Sequence, residues 1–110
     1  MANVEQYRQY IQQLLTQRAQ TGGDDVVEAQ TIFDTERNHY QLVYVGWENR
    51  RRVYGCVIHV DIKDGKIWIQ HDGTEIGIAD ELVALGVPKE DIVLAFQAPN
   101  LRKFTEFAVG

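Results

Sequence analysis

The dipeptide Asp64-Gly65 constrains the fold of this chain more than any other feature of its sequence. It separates two β-rich runs, residues 53–63 and 66–70, in which side chains of different character alternate. An Asp-Gly pair between two such runs is the strongest short-range signal for a β-hairpin. A two-residue turn here sets the register, which predicts these opposed pairs: Lys63 with Lys66, Ile62 with Ile67, Asp61 with Trp68, Val60 with Ile69, and His59 with Gln70.

This register sorts the predicted hairpin into two surfaces, because side chains on a strand alternate between faces. The predicted core face carries Tyr54, Cys56, Ile58, Val60, Ile62, Ile67 and Ile69. The second surface carries Val53, Gly55, Val57, His59, Asp61, Trp68 and Gln70. Because the second surface mixes aromatic, ionisable and aliphatic residues, we predict that it is where the protein meets another molecule.

The size and composition of the chain indicate a single globular domain over residues 1–110. A chain of 110 residues can bury a core without help from disulfides or a metal ion. Its hydrophobic fraction of 45% and charged fraction of 25% are typical of a soluble globular protein. The single cysteine, Cys56, excludes a disulfide framework and a Cys-rich zinc site. Its position on the predicted core face indicates a buried, unreactive thiol.

The acidic charge of the chain lowers the expectation of direct nucleic-acid binding. The net charge is −5, whereas most of the affinity for nucleic acid comes from cationic contacts to phosphates. The one basic cluster, Arg50-Arg51-Arg52, is more typical of a solvated rim at a turn than of a DNA footprint. No apolar run approaches the ~20 residues of a membrane span, and no leader pattern opens the chain. We therefore expect a cytoplasmic protein that makes no membrane contact.

The N-terminal half of the chain predicts one helix followed by two strands. Asn3 and Gln6 resemble a capping box, and the apolar residues that follow at helical spacing predict an amphipathic helix to about Gln20. The period then changes to two, which predicts strands over residues 26–34 and 40–47. Short turns between successive strands predict an antiparallel meander.

The C-terminal part predicts a second helix and a short final strand. A helical stripe covers residues 78–83, and Pro88 opens one further helical turn to residue 91. Residues 92–96 are continuously apolar and predict a fifth strand or a buried connector, and the apolar tail beyond them should dock on the domain or on a partner. The predicted class is α+β: an antiparallel β-meander of four to five strands with an N-terminal helix and a second helix packed on one face.

Aromatic residues distinguish the second surface of the predicted sheet. A two-residue turn at Asn49-Arg50 would add Tyr40, Leu42 and Tyr44 to that surface. Exposed patches of this size and composition mark interaction sites, and the alternative is that the C-terminal tail covers them. We favour an interface, for which the candidate residues are Tyr40, Tyr44, Trp47, Arg51, Arg52, Val57, His59, Asp61, Trp68 and Gln70.

The sequence predicts no catalytic, cofactor-binding or metal-binding residues. His59 and Asp61 share one strand face, but acid–base catalysis or a metal site would need further convergent groups, so we favour a structural or interface role. Asp72 and Glu75 are sufficiently explained as capping residues of the second helix. The weakest alternative is a small hydrolase or nuclease that uses His59, Asp61, Asp72 and Glu75. Phosphate-binding loops, nucleophile elbows and zinc-protease motifs are absent from the sequence.

Several runs of the sequence resemble the XisI family, the cyanobacterial proteins described as controlling factors for excision of the fdxN DNA element. The resemblance extends to residues 105–109 and to the N-terminal helix, so it spans nearly the whole chain. The runs that carry it are Val-Gly-Trp (45–47), Arg-Arg-Val-Tyr-Gly-Cys (51–56), His-Val-Asp-Ile (59–62), Gly-Lys-Ile-Trp-Ile-Gln (65–70), Asp-Gly-Thr-Glu (72–75) and Gly-Val-Pro-Lys-Glu-Asp-Ile-Val-Leu (86–94).

The resemblance implies a role in developmentally timed, site-specific DNA rearrangement, in which a separate recombinase does the cutting. It also implies a companion protein, XisH, which looks nuclease-like, and it supplies no catalytic residue. Together with the acidic charge, it favours a non-enzymatic accessory factor that binds an XisH-type partner and contacts DNA only indirectly. The alternative is a DNA-binding regulatory factor that uses Arg50, Arg51, Arg52 and Arg37.

We also predict a homodimer or a larger homo-oligomer. The two predicted helices carry one apolar stripe each, which is enough to cover one face of the sheet but not both. We expect association to bury Tyr40, Tyr44, Val57 and Trp68 of the second surface, either between subunits or under a partner.

Overall fold

The computed structural model describes residues 3–110, which form one mixed sheet with helices on one face. In chain order the elements are helix α1 (Val4–Gly22), strands β1 (Val27–Asp34), β2 (His39–Glu48), β3 (Arg51–Lys63) and β4 (Lys66–Asp72), helix α2 (Ile78–Ala84), a 3-10 helix (Lys89–Asp91), strand β5 (Ile92–Leu94) and a second 3-10 helix (Pro99–Phe104). The α+β class predicted from the sequence is confirmed.

The sheet has the order β1-β2-β3-β4-β5. Strands β1 to β4 form the predicted antiparallel meander. Strand β5 is parallel to β4, so the prediction of a wholly antiparallel sheet is wrong at this edge. The chain reaches β5 through α2 and the 3-10 helix Lys89–Asp91, and a connection of that length is what a parallel neighbour requires.

Helix α1 begins and packs as its sequence predicts. The Asn3 side chain accepts a hydrogen bond from the Gln6 backbone N–H at 3.1 Å, which satisfies one of the free donors of the first turn. The helix continues to Gly22, two residues beyond the predicted end at Gln20. A Cβ at Gly22 would overlap the Tyr44 hydroxyl, so a larger residue at the end of the helix would require the Tyr44 side chain to shift.

The core lies between the two helices and one face of the sheet, which we call the inner face. Ile58, Val60 and Ile62 of β3 and Ile67 and Ile69 of β4 are all buried there, as predicted. The buried members of this core are Tyr7, Ile11, Leu14, Leu15, Tyr40, Leu42, Ile58, Val60, Ile62, Ile67, Ile69, Ile78, Leu82, Val87 and Ile92.

Both predicted two-residue turns are present. Asp64 and Gly65 have φ values of 54° and 75°, and the pairing from Lys63–Lys66 to Val60–Ile69 follows the predicted register. Asn49 and Arg50 also have positive φ, and β2 and β3 pair from Glu48–Arg51 upward. Positive φ at both central residues is the conformation that matches the right-handed twist of the flanking strands.

A β-bulge in β3 changes which residues face the core. The β2–β3 pairing shifts between Leu42 and Val43, so that Leu42 lies opposite Ile58 while Val43 lies opposite Cys56. Val57 is therefore an extra residue, and every β3 position before it changes face relative to the simple alternation. Because of this bulge, the sheet faces predicted for eight residues are wrong: Tyr40, Leu42, Tyr44, Val53, Tyr54, Gly55, Cys56 and Val57.

A second bulge lies between β3 and β4. His59 lies opposite His71, whereas Val60 lies opposite Ile69, so Gln70 is the extra residue. The predicted pairing of His59 with Gln70 is wrong for this reason.

The C-terminal segment docks on the domain. The 3-10 helix Pro99–Phe104 follows β5, and the chain then returns so that Ala108 forms a parallel bridge with Val93. The Ala108 N–H donates to the Ile92 carbonyl at 2.8 Å. Within residues 3–110, no helix is long and apolar enough to cross a membrane.

Candidate interaction surface

The outer face of the sheet, opposite the helices, carries most of the residues that the sequence suggested for an interface. Opposed residues on adjacent strands share a face. The strand pairings therefore show which residues of β2, β3 and β4 lie together on this side. The outer-face residues of β2, β3 and β4 include His39, Gln41, Val43, Val45, Trp47, Arg52, Tyr54, Cys56, His59, Asp61, Trp68 and Gln70.

Trp47, Arg52 and Tyr54 form a compact exposed group near the β2–β3 turn, which we call the hairpin patch. Trp47 is 59% exposed and Tyr54 is 74% exposed. The Arg52 guanidinium carbon lies 5.3 Å from the Trp47 ring centroid and 5.8 Å from that of Tyr54. These cation–π contacts hold the three side chains together. Trp, Tyr and Arg are the residues most often found at energetic hot spots of interfaces.

The bulge at Val57 is what exposes the hairpin patch on this side. Uninterrupted alternation from Ile58 would put Tyr54 on the inner face, as predicted from the sequence. With Val57 inserted, Tyr54 turns outward and lies opposite Val45, next to the pair formed by Trp47 and Arg52. The sequence prediction put Tyr54 on the core face and therefore missed it as a candidate for the interaction surface.

The other end of the outer face is partly covered by the chain itself. Arg102 lies 5.6 Å and Lys63 4.9 Å from the Trp68 ring centroid, and the Trp68 indole N–H donates to the Lys63 carbonyl at 3.1 Å. Lys66 Nζ also donates to the Gly110 carbonyl. The C-terminal tail thus covers the β4–β5 side, as the alternative prediction stated. At the hairpin patch, Trp47 and Tyr54 remain largely exposed.

A polar cluster lies on the outer face where β2 begins, beside Trp68. His39 Nδ1 and His59 Nε2 both donate to the same oxygen of Asp61, Oδ1, at 2.8 and 2.9 Å. The two imidazole rings are 6.4 Å apart and nearly perpendicular. The sequence had drawn attention to His59 and Asp61 but not to His39, which the register of β2 brings opposite Asp61.

Three of the predicted interface residues face away from this surface. Tyr40 is fully buried in the core, so the prediction that it lies on the interaction face is wrong. Tyr44 shares the inner face with Tyr40 and approaches the end of α1 at Gly22. Val57, at the bulge, packs partly against the core.

The four residues suggested for a hydrolytic site do not converge. The Asp72 carboxylate accepts from the backbone N–H groups of Thr74 and Ile78 at 2.9 and 2.7 Å, and so stabilises the loop that leads into α2. Asp72 lies opposite Ile58, on the inner face, whereas His59 and Asp61 point outward. Glu75 is exposed in the loop before α2. The prediction that Asp72 is the cap of α2 and Glu75 its third residue is wrong, because α2 begins only at Ile78 and its N-cap is Gly77. Asp72 nevertheless accepts from the N–H of Ile78, the first residue of the helix.

The four arginines suggested for DNA binding lie at opposite ends of strand β2. Arg50, Arg51 and Arg52 are exposed at the β2–β3 turn, and Arg51 lies opposite Glu48. Arg37 lies in the β1–β2 turn at the other end of β2, about 30 Å away for a strand of this length, and contacts Asp34 at 3.3 Å. The prediction that Arg37 adds to the Arg50–Arg52 cluster is therefore wrong.

Cys56 is exposed on the outer face, so the prediction of a buried thiol is wrong. Its Sγ donates to the Ile58 carbonyl at 3.2 Å across the bulge. Desolvation of the sulfur raises the pKa of the Cys56 thiol, which disfavours the nucleophilic thiolate.

This small α+β architecture is shared with known proteins. The family described as XisI protein matches residues 1–109. The chain belongs to the XisI family, as the sequence resemblance indicated. No protein with a curated description matches it.

Two solved structures from Anabaena variabilis ATCC 29413 are similar over nearly their full lengths. A XisI-like protein is 50% identical, with a TM-score of 0.93, and the match covers 98% of this chain and 100% of that one. The fdxN element excision controlling factor XisI is 35% identical, with a TM-score of 0.80, and the match covers 94% and 96% of the two chains.

Proposed function

We propose that this protein is a non-enzymatic accessory factor that controls excision of a DNA element by binding an XisH-type partner protein. The family supports the excision-control role, because a relative with the same fold carries the name fdxN element excision controlling factor. The single observation that supports partner binding is the hairpin patch, in which Trp47 and Tyr54 are exposed side by side and both contact Arg52.

The size of the patch is sufficient for a protein interface hot spot. A buried Trp or Tyr side chain removes roughly 150–250 Å² from water. At about 25 cal/mol per Å², burial of Trp47 and Tyr54 against a partner would contribute several kcal/mol before the costs of association. Arg52 is already held between the two rings, so it loses little side-chain entropy when a partner binds.

The arrangement of the ionisable groups supports a role without catalysis. The residues that could form a hydrolytic site lie on opposite faces of the sheet, with His59 and Asp61 outside and Asp72 inside. Asp72 is also occupied by its hydrogen bonds to Thr74 and Ile78. The exposed groups of the outer face therefore fit a partner-binding role better than a hydrolytic one.

Co-purification with an XisH-type protein tests the proposal. The wild-type chain should co-purify with the co-expressed partner, whereas Tyr54→Glu should lose most of the complex because a charge enters the centre of the patch. Phe104→Glu is the matched control, since Phe104 is 76% exposed on the C-terminal 3-10 helix and should retain binding. Failure of the wild type to associate, or equal loss in the two variants, would contradict the proposal.

Direct DNA binding is the second candidate function, and the exposure of Arg50, Arg51 and Arg52 at one turn favours it. Binding of this kind should weaken steeply with salt and fall further when Arg50 and Arg51 become alanine. The net charge of −5 and the distant position of Arg37 count against it. A mobility shift of element-end DNA by the chain alone, lost in the double variant, would support this candidate instead.

A further inference from the structure

The cluster formed by His39, His59 and Asp61 has the donor set of a transition-metal site. Each residue offers one ligand atom, and these atoms all lie within 4.8 Å of one another. Two imidazoles and one carboxylate are a ligand combination that suits zinc and related divalent ions, whereas magnesium and calcium prefer oxygen ligands alone. The cluster lies on the outer face on two neighbouring strands of a packed sheet, at the start of β2 and near the end of β3.

The β-bulge is what assembles the cluster. If β2 and β3 paired without it, the Asn49-Arg50 turn would put His39 opposite Val60, with its side chain on the inner face. The extra residue Val57 shifts the register by one, and His39 then lies opposite Asp61 on the outer face. Bulges frequently re-aim side chains at functional sites, and this one brings the third ligand to the other two.

Two glutamines contact the atoms of Asp61 and His59 that do not face the cluster. Gln70 Nε2 donates to Oδ2 of Asp61 at 3.2 Å, which leaves Oδ1 directed at the two histidines. Gln41 Nε2 lies 3.4 Å from Nδ1 of His59, the ring nitrogen that does not face the cluster. Metal-ligating histidines usually donate through this second nitrogen to an oxygen, and rotation of the Gln41 amide would present its oxygen there.

We propose that His39 Nδ1, His59 Nε2 and a carboxylate oxygen of Asp61 bind a divalent transition-metal ion, with Zn²⁺ as the best match. Zinc–ligand bonds of about 2.0–2.2 Å in tetrahedral geometry place neighbouring ligand atoms about 3.3 Å apart. The nitrogen–oxygen separations are now 2.8 and 2.9 Å, so each must grow by only about 0.5 Å to admit the ion.

Exposure of the ligands leaves room for a fourth group. The side chains of His39, His59 and Asp61 are 54%, 30% and 18% exposed, respectively. Three protein ligands leave one tetrahedral position on the solvent side, which water occupies when the chain is alone. The inference does not depend on the proposed partner.

Metal titration of the isolated, chelator-treated chain tests the site. Addition of Co²⁺ should produce visible absorption bands of a low-symmetry site at one ion per chain, and addition of Zn²⁺ should abolish them. His59→Ala, His39→Ala and Asp61→Asn should each weaken binding at least about tenfold, a change typical of losing a ligand. His71→Ala is the control, because His71 is also exposed and on β4 but lies outside the cluster.

Thermal unfolding of the metal-free variants separates a lost ligand from a lost fold. His39 is the most exposed of the three, so His39→Ala should unfold like the wild type while binding metal weakly. Absence of Co²⁺ bands in the wild type would overturn the proposal. Equal binding by His39→Ala and the wild type, or an equal loss in His71→Ala, would also overturn it.

Discussion

Tyr7 and Asp91 form a hydrogen bond that joins helix α1 to the start of β5. The Tyr7 hydroxyl donates to Oδ2 of Asp91 at 2.5 Å, and the tyrosine is only 6% exposed. Burial, followed by the hydrogen bond and the negative charge of Asp91, raises the pKa of Tyr7 to about 12 from the usual 10.0. The folded state therefore favours the neutral phenol, whereas the unfolded chain loses this proton at lower pH.

This pKa difference predicts a loss of stability at high pH. Since the pKa of Tyr7 is higher in the folded state, its contribution is complete below about pH 10 and is lost as the pH rises toward 12. Between about pH 9 and about pH 11.5, the wild type should lose roughly 2 kcal/mol more unfolding free energy than Tyr7→Phe. Urea unfolding of both proteins across this range measures the difference.

The comparison with Tyr7→Phe is necessary because other groups also titrate at high pH. Burial raises the pKa of Tyr40 as well, and the variant retains that contribution. Parallel curves for the two proteins between pH 9 and 11.5 would show that the Tyr7–Asp91 contact has no such role.

At the scale of the strands, two glycines on neighbouring strands, Gly46 of β2 and Gly55 of β3, differ in the space around them. A Cβ at Gly46 of β2 would overlap the Val26 carbonyl oxygen and approach the Val27 backbone. A Cβ at Gly55 of β3 would meet no atom within 4 Å. Overlap with backbone cannot be relieved by a rotamer change, so the two positions should respond very differently to the same substitution.

We expect Gly46→Ala to destabilise the protein by roughly 2 kcal/mol or more, because β1 and β2 must separate to admit the methyl group. Gly55→Ala should change the unfolding free energy little, or raise it by up to about 0.5–1 kcal/mol, since alanine restricts the unfolded chain more than glycine does. Urea denaturation of the pair gives both values. Similar stabilities for the two variants would mean that the close approach of β1 at Val26 is not present.

The elements of this fold were largely predictable from local sequence, but the bulge in β3 was not. The Asp64-Gly65 and Asn49-Arg50 turns set the register near each turn, and the register holds until an extra residue intervenes. The evidence for that residue is non-local. A two-residue turn at Asn49-Arg50 would pair Tyr40 with His59, so the apolar pairing of Tyr40 with Val60 and of Leu42 with Ile58 requires one extra residue in β3. The β5 crossover was missed because a three-residue apolar strand carries no information about its direction.

Because the bulge at Val57 was not predicted, the residues of the outer face were predicted only in part. Asp61 and Trp68 follow from the well-predicted part of the β3–β4 hairpin and lie on the outer face. His59 and Gln70 are also on that face, although their predicted pairing is wrong. Tyr54 and His39 reach that face only because of the Val57 bulge. The sequence therefore predicted part of the outer face but not Tyr54 and His39, the two residues that most change its chemistry.

At the scale of the whole molecule, the open edge of β3 supports the predicted homodimer. The Val57 carbonyl accepts from the Gly73 N–H, beyond the end of β4, and β4 pairs with β3 from Ile58 onward. Residues 51–56 of β3 are therefore paired on one side alone. Unpaired strand edges are templates for pairing with another chain, and this edge adjoins the hairpin patch. The proposed dimer contact therefore lies at this end of the sheet rather than at Tyr40 and Tyr44.

Sedimentation of the isolated chain tests the assembly. The wild type, Phe104→Glu and Tyr54→Glu should all be dimeric at tens of micromolar concentration, because the contact is made by the backbone edge of β3 and leaves the hairpin patch free for the partner. A wild type that sediments as a monomer would contradict the prediction.

The central claim is that an XisH-type partner binds at the hairpin patch, and hydrogen–deuterium exchange with and without the partner tests it most directly. Binding of the partner at the hairpin patch should slow exchange in peptides covering residues 45–54, which contain Trp47, Arg52 and Tyr54. Peptides covering residues 99–110, where the tail already docks on the domain, should be unchanged. Protection confined to that tail or to helix α1, with residues 45–54 exchanging as in the free chain, would contradict the account.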